Sequence, residues 1–145
     1  AFKTIEESLS RSLFAEEIKR IELILPEVQE RIETLNDLIG QIGFLLDEPF
    51  VVNDVEWNDV NSENSQVYLM NIRNRFKEME DFNLKNIEEM MRAELTKQNI
   101  KPKEGFQATR VAITGTKISP PLFESIFALG LSPTIARLAE KIENL

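Results

Sequence analysis

The 145-residue sequence contains no cysteine and no histidine, and it has one tryptophan and one tyrosine. These absences exclude disulfide bonds, thiolate nucleophiles, zinc fingers, haem sites and an imidazole general base. Catalysis by these residues alone would rest on carboxylates, lysines, hydroxyl groups or Tyr68. No apolar run approaches the roughly 20 residues of a membrane-spanning helix. The start AFKTIEESLS resembles neither a signal peptide nor a natural initiator, so we expect a soluble piece of a longer protein.

Charge is unevenly distributed along the chain. Lysine and arginine number 17 against 25 acidic residues, for a net charge of −8. Residues 1–91 carry a net charge of −11 and residues 92–145 a net charge of +3. The overall charge argues against indiscriminate nucleic-acid binding, whereas the C-terminal third favours a local basic face. A solvated acidic helical half is the simpler interpretation of the same numbers.

Apolar residues recur at helical spacing through most of the chain, which predicts an all-α fold. The first stripe ends near Leu25, because Pro26 is favoured in the first turn of a helix and so begins a second one. This second helix continues to the run FLLDEPF, where Pro49 stops it. Residues 50–64 are rich in asparagine and aspartate without a helical period, which predicts a loop, or a loop with one short helical turn.

Two further helices are predicted over residues 65–79 and 83–98, the second with Asn83 as an acceptable N-cap. The run NIKPKEG is then a linker, followed by a short apolar segment from Phe106 to Ile113 that Gly115 ends. A strand over RVAIT is an alternative, since valine and isoleucine favour strands, although a lone strand has no partner here.

The last thirty residues predict two short helices. Ser119 and Pro120 form an N-cap followed by a proline at the first helical position, and Gly130 closes that helix. Ser132 and Pro133 repeat the same start signal. We therefore expect a tight helical pair with its corner at Gly130.

Patterns that resemble catalytic or metal sites are incomplete. Adjacent carboxylates fall on polar helix faces, where solvated surface is the simpler interpretation. The run Gly115-Thr116-Lys117 resembles the end of a phosphate loop, but Arg110 holds the place of the required upstream glycine. Four acidic residues suggest a calcium loop but lack the glycine and the ligand spacing of an EF-hand: Asp54, Glu56, Asp59 and Glu63. We predict no catalytic and no metal-binding residues.

The run RVAITGTKISPPLF, residues 110–123, combines features that suit single-stranded RNA. Arg110 and Lys117 supply positive charge and Ser119 a hydroxyl, beside a helix N-terminus whose free N–H groups favour phosphates or base-edge acceptors. An apolar platform for stacked bases follows, formed by Pro120, Pro121, Leu122 and Phe123. The alternative is a capped helix with Leu122 and Phe123 in the core.

These motifs, in this order, resemble the C-terminal end of bacterial-type glutamyl-tRNA synthetases. RVAITG, PPLF, Leu129-Gly130 and IARL match at the C-terminal end, and the block from RVAITG to PPLF is the most specific part. Upstream, LPEVQERIETL, FLLD and FNLKNI match the family's QER-x-x-TL helix and the segment before its penultimate helices. Together these matches cover nearly all of the chain.

The resemblance implies an all-helical anticodon-binding region made of two adjoining subdomains, residues 1–81 and 82–145, detached from its catalytic domain. The family's ATP-binding and glutamate-binding motifs are absent, so the fragment would be inactive and hold no cofactor. The parent protein would be a cytoplasmic ligase that joins glutamate to tRNA(Glu) with ATP and Mg²⁺, through a glutamyl-adenylate. The implied partner is tRNA(Glu), without DNA or membrane, and the default oligomeric state is a monomer.

The resemblance also implies functional positions. The arginine that opens the RVAITG block contacts the anticodon loop in the family, which assigns that role to Arg110. Residues that hold anticodon bases match Ser119, Pro120, Leu122 and Phe123. Ser119 departs from the threonine of some members, but its hydroxyl makes the same hydrogen bond. A further arginine corresponds by spacing to Arg92.

The last residue of the QER motif is Arg31, which resembles the family position that reads the third anticodon base. An arginine there accompanies enzymes that accept tRNA(Glu) and refuse tRNA(Gln), and a guanidinium can donate to cytosine. The alternative for Arg31 is an exposed helical arginine paired with Glu27 or Glu30.

Two rival functions come from other classes. The amphipathic helices and acidic surface fit a non-catalytic helical protein-interaction module, which predicts only nonspecific, steeply salt-dependent tRNA binding. An independent enzyme is a distant third, because no convergent catalytic set exists.

Overall fold

The computed structural model describes residues 2–48 and 50–143, apart from the side chain of Arg31. Within these residues there are nine α-helices, two 3-10 turns and no strand, which confirms the all-α prediction. The helices are α1 (Phe2–Leu9), α2 (Ala15–Val28), α3 (Leu35–Ile42), α4 (Asp54–Val60), α5 (Glu63–Glu78), α6 (Leu84–Gln98), α7 (Pro102–Thr114), α8 (Leu122–Leu129) and α9 (Leu131–Lys141). The 3-10 turns are Gln29–Arg31 and Gly43–Leu45.

Four helices in the middle of the chain begin at polar N-caps. In each, a side-chain oxygen accepts a hydrogen bond of 2.9 to 3.1 Å from the backbone N–H three residues later, which satisfies a donor that has no partner within the helix. The caps are Thr34, Asn53, Ser62 and Asn83. The sequence-based assignment of Asn83 is thereby confirmed.

The helix break predicted near Leu25 is wrong, because α2 runs through Pro26 to Val28. Ile24 and Val28 are fully buried, and keeping both on one apolar face outweighs the backbone hydrogen bond that Pro26 cannot make. The break falls instead before the capping box of Thr34 and Asp37. The predicted stop at Pro49 lies outside the described residues.

Two segments predicted as loop or linker are largely helical. Residues 54–60 form α4, two turns long, whose Trp57 and Val60 are buried. The supposed linker before Phe106 is the first turn of α7, because Pro102 occupies its first position and the missing proline N–H costs nothing there. The strand alternative for RVAIT is wrong, because residues 110–114 belong to α7.

The predicted starts of the last two helices are displaced. α8 begins at Leu122 rather than after Ser119, whose hydroxyl accepts from Arg110 instead of capping the helix. α9 begins at Leu131, because the carbonyl of Gly130 already accepts from Thr134 and makes the first intrahelical bond. The predicted corner at Gly130 is confirmed, with φ +102° and a bend of 111° between the helices.

Taken singly, none of the helices in the described residues has the length and apolar character to cross a membrane. The bent pair α8 and α9 passes that test together, by length and composition only.

Buried apolar residues from both ends of the chain form one cluster. α5 packs against α6, α7 and α9, and α2 packs along α8. Tyr68 is fully buried in this core, where its hydroxyl donates a 2.8 Å hydrogen bond to the carbonyl of Met91. Gly105 lets α7 approach closely, since a Cβ there would lie 2.7 Å from Leu95 and 3.0 Å from Tyr68. The boundary between residues 81 and 82 stays a prediction.

Glu17 joins three segments of the N-terminal part. Its side chain is 0% exposed and forms a two-bond ion pair with Arg11, at 2.8 and 2.9 Å. The same carboxylate accepts from the backbone N–H groups of Phe14 and Asp47, both at 2.8 Å. The hydrogen bond from Arg11, followed by those two backbone donors, lowers the pKa of Glu17 to about 2 although burial opposes it.

Arg137 of α9 joins the C-terminal helix to residues 44–46 and to the end of α7. Its guanidinium donates to the carbonyls of Phe44, Ile113 and Leu46, and lies 3.6 Å from the ring centre of Phe50. Burial lowers the pKa of Arg137 to about 10, which still leaves it protonated at neutral pH. The carbonyl of Ile113 belongs to the last turn of α7, where an arginine favourably meets the negative end of the helix dipole.

The Glu17 network predicts a defined acid sensitivity. The folded pKa of about 2 lies below the model-peptide value of 4.5, so this stabilisation is full above pH 4.5 and is lost as the pH falls toward and through 2. Glu17→Gln should lower the free energy of unfolding at pH 7 by about 3 kcal/mol, a difference that shrinks across that window. Urea unfolding between pH 7 and pH 2 measures it. Glu16→Gln, an exposed neighbour in α2, is the control. Parallel pH profiles for the wild type and Glu17→Gln would contradict this role.

Candidate nucleic-acid interface

The predicted site residues of the C-terminal third meet around the loop between α7 and α8. α7 ends at Thr114 and is capped by Gly115, whose φ of +88° is left-handed, and the chain then returns through residues 116–121. Phe106 and Arg110 lie four positions apart on α7 and therefore share one face. This face and the start of α8 form the interface considered below.

Arg110 holds the loop in place. Its Nη1 donates to the Ser119 hydroxyl and, at 2.7 Å, to the carbonyl of Pro120. The Ser125 hydroxyl donates to that same carbonyl at 3.2 Å. Arg110 is partly buried, and desolvation lowers its pKa. The structure thus brings together Arg110, Ser119 and Pro120, with the guanidinium oriented by the loop.

Phe123, Phe106 and Arg92 form an arginine-aromatic cluster beside that loop. The rings of Phe123 and Phe106 meet edge to face, with centres 5.5 Å apart. The Arg92 guanidinium carbon lies 5.5 Å from the Phe123 centre and 5.6 Å from the Phe106 centre. Such distances fit cation–π contacts. Both rings are partly exposed, so the cluster offers a stacking surface at the protein boundary.

Leu122 and Phe123 have different environments although they are adjacent. Leu122 is 5% exposed and belongs to the core, as does the buried Pro120. Phe123 is partly exposed and packs at the edge of the core. The core alternative therefore describes Leu122, whereas Phe123 is accessible for stacking. Base contacts by either residue stay predictions.

The remaining predicted cations have different surroundings. Lys117 in the loop forms a 3.1 Å ion pair with Asp59 of α4. Arg92 forms a 2.8 Å ion pair with Glu88, one turn earlier on α6. The side chain of Arg31 lies outside the described part of the structure.

Acidic residues border the cluster. Glu124 lies in the first turn of α8, where partial burial raises its pKa and the charges of Glu27 and Glu88 add to that rise. α2, which carries Glu27 near its C-terminal end, packs along α8. The turn Gln29–Arg31, which holds the QER motif, directly follows α2 in the chain.

Phe106 is a member of the cluster that sequence reasoning missed. The run NIKPKEG was assigned to a linker, which hid the helical register of the residues after it. Pro102 at the first helical position was the available signal, because it places Phe106 and Arg110 four residues apart on one helix. Among the residues that the structure describes, no group of three or more acidic side chains is arranged to hold a metal ion.

The fold and the interface define an all-α domain with an arginine-aromatic surface at a helix N-terminus. A family model described as "Anticodon binding domain" matches residues 4–142. The chain therefore belongs to the anticodon-binding domain family.

Similar proteins are named as tRNA ligases. Glutamate–tRNA ligase 1 of Campylobacter hominis is 33% identical over 145 residues, spanning 98% of this chain and 30% of that protein. Glutamate–tRNA ligase of Nocardioides is 31% identical over 121 residues, spanning 81% of this chain and 25% of that protein. The chain thus corresponds to a quarter to a third of these relatives.

A solved structure shares the fold. The crystal structure of a glutamate tRNA ligase from Elizabethkingia meningosepticum, in complex with its amino acid, superposes with a TM-score of 0.79 at 16% identity. The match covers 97% of this chain and 27% of the other.

The different environments of Leu122 and Phe123 predict different stability losses. Leu122→Ala removes a core side chain and should lower the free energy of unfolding by about 2–5 kcal/mol. Phe123→Ala removes a partly exposed ring and should cost less, about 1–2 kcal/mol. Denaturant unfolding of both variants measures the difference. An equal or larger loss for Phe123→Ala would show that its ring is a core element.

Proposed function

We propose that this chain is the tRNA anticodon-binding region of a glutamate–tRNA ligase and that its partner is tRNA(Glu). The observation that carries the proposal is the arginine-aromatic cluster beside the Ser119 loop, in a chain of the anticodon-binding domain family. The relatives named as glutamate–tRNA ligases support the choice of tRNA. The rest of such a ligase would bind ATP and Mg²⁺ and form glutamyl-adenylate in the cytoplasm.

The chemistry of the interface suits unpaired bases. A base stacked on an aromatic ring contributes about 1–3 kcal/mol, which Phe123 would supply from its accessible face. Ser119 carries a hydroxyl that donates and accepts, next to the first turn of α8, where free N–H groups and the helix dipole favour acceptor atoms. Arg110 acts by fixing the loop that presents Ser119.

Arg31 would add discrimination between related tRNAs. Its turn follows α2, the helix that packs along α8, and this order of elements supports a position near bases bound at Phe123. An arginine donates to cytosine, the third anticodon base of tRNA(Glu), and would meet a larger guanine in tRNA(Gln), which favours tRNA(Glu). We propose a monomer that reads RNA with the 82–145 half and checks one base with the 1–81 half.

Binding of RNA stem-loops tests this function. The chain should bind a tRNA(Glu) anticodon stem-loop more tightly than an unrelated stem-loop at two salt concentrations. Arg110→Ala and Phe123→Ala should each weaken that binding about 5- to 150-fold, corresponding to about 1–3 kcal/mol per contact. Fluorescence anisotropy measures the Kd, and thermal unfolding verifies that each variant is folded.

Matched variants away from the interface serve as controls. Arg73→Ala removes an arginine of α5 whose side chain contacts Asn74, and Phe14→Ala removes a ring that is 51% exposed before α2. Neither should change the Kd. A tRNA(Gln) stem-loop in the same assay tests Arg31, whose replacement by glutamine should reduce the preference for tRNA(Glu). Equal binding to all stem-loops that disappears at high salt would contradict the proposed function and favour a protein-interaction module.

A further inference from the structure

Cations around the interface are engaged by the protein itself. The Nε of Arg92 lies 2.8 Å from Glu88 Oε2, and the Nζ of Lys117 lies 3.1 Å from Asp59 Oδ2. The two acidic partners come from different helices, α6 and α4. A phosphate that approaches either cation therefore meets a carboxylate already paired with it.

Arg92 is held from two sides. Glu88, one helical turn earlier, binds its Nε, while the rings of Phe106 and Phe123 lie within 5.6 Å of its guanidinium carbon. A guanidinium in this position lies next to the aromatic surface that a base would use. Releasing it from Glu88 would free a positive charge for any phosphate.

The ion pairs are weak enough to be exchanged. Glu88 and Arg92 are 47% and 54% exposed, and Asp59 and Lys117 are 57% and 34% exposed. Exposed ion pairs contribute little to stability and are screened by salt, so a ligand that fits the loop and the rings can replace them. A ligand that offers only phosphate charge gains less, because the carboxylate repels it.

We propose that Glu88 and Asp59 are specificity-determining residues, which neutralise Arg92 and Lys117 so that RNA without the correct bases binds poorly. This inference rests on the proposed function, since it concerns the same interface. Glu88 is a positioning residue in this role, because it acts through Arg92. The two carboxylates reduce the electrostatic affinity that all RNA shares while leaving the base contacts unchanged.

Glu88→Gln tests the inference, with Glu89→Gln as its matched control. Glu89 lies on the same helix and pairs with Lys85 at 4.0 Å, away from Arg92. Both variants replace glutamate by glutamine and therefore change the net charge equally. Glu88→Gln should raise the affinity for an unrelated stem-loop about two- to fivefold at low salt. It should also steepen the salt dependence by roughly 0.7 to 0.9 in logarithmic slope, as expected for one additional phosphate contact. The affinity for the tRNA(Glu) stem-loop should rise less, which lowers the specificity ratio.

Asp59→Asn and Asp54→Asn form a second matched pair on α4. Asp54 is exposed in the first turn, and no salt bridge to it occurs within the described ranges 2–48 and 50–143. Asp59→Asn should reproduce the loss of specificity, and Asp54→Asn should not. In an Arg92→Ala background, Glu88→Gln should lose its effect, because the carboxylate would have no cation to hold.

The outcomes separate the two claims. Selective wild-type binding with equal effects of Glu88→Gln and Glu89→Gln would overturn this inference and leave the proposed function standing. Persistence of the Glu88→Gln effect without Arg92 would also overturn it. Absence of selective binding by the wild type would overturn the proposed function and the inference together.

Discussion

The contacts of Arg137 are the interaction on which the rest of the structure depends. One guanidinium donates to three carbonyl oxygens: Phe44 in the 3-10 turn, Leu46 directly after that turn, and Ile113 in the last turn of α7. A partly buried charge, with no carboxylate bonded to it among the described residues, is tolerated here because these carbonyls, one of them at a helix C-terminus, replace its hydration. The C-terminal helix, the end of α7 and the segment after α3 are thereby fixed to the same point.

The geometry of the interface depends on the position of the end of α7, which Arg137 holds through Ile113. α7 ends one residue before Gly115, whose carbonyl accepts from Asn53 at 2.9 Å, and a Cβ at Gly115 would lie 2.6 Å from the carbonyl oxygen of Val51. The left-handed conformation of Gly115 turns the chain out of α7, and Arg110 bonds the following loop back to α7 at Pro120. The backbone position of Gly115 thus determines where the side chains that would contact RNA are placed.

Local signals in the sequence predicted local structure well. Asn83 and Gly130 act within a few residues of themselves, so a cap and a corner could be assigned from the sequence. The helix break predicted at Pro26 is wrong because the burial of Val28, which depends on the whole fold, keeps α2 continuous. The N-cap predicted at Ser119 is wrong because its hydroxyl accepts a hydrogen bond from Arg110, nine residues away, and is not available as a cap. Such non-local competition is invisible in a single sequence.

The candidate site was predictable in its residue types and less so in its arrangement. Helical spacing places Leu122 and Phe123 side by side without showing which one faces the core, and only tertiary packing separates them. The two carboxylates that hold Arg92 and Lys117 also differ in how far the sequence alone predicts the pairing. Glu88 is visible as a pair four residues apart, whereas Asp59 reaches Lys117 across 58 positions of sequence.

The central claim is that RNA binds where α6, α7 and α8 meet, and mapping of chemical-shift changes tests it most directly. Titration of the isotope-labelled chain with a tRNA(Glu) anticodon stem-loop should perturb the amide and side-chain signals of Arg92, Phe106, Ser119 and Phe123 most strongly. Signals of α1 and of the exposed face of α5 should remain unchanged. The largest perturbations on α1 or α5, or weak perturbations spread evenly over the surface, would contradict the account.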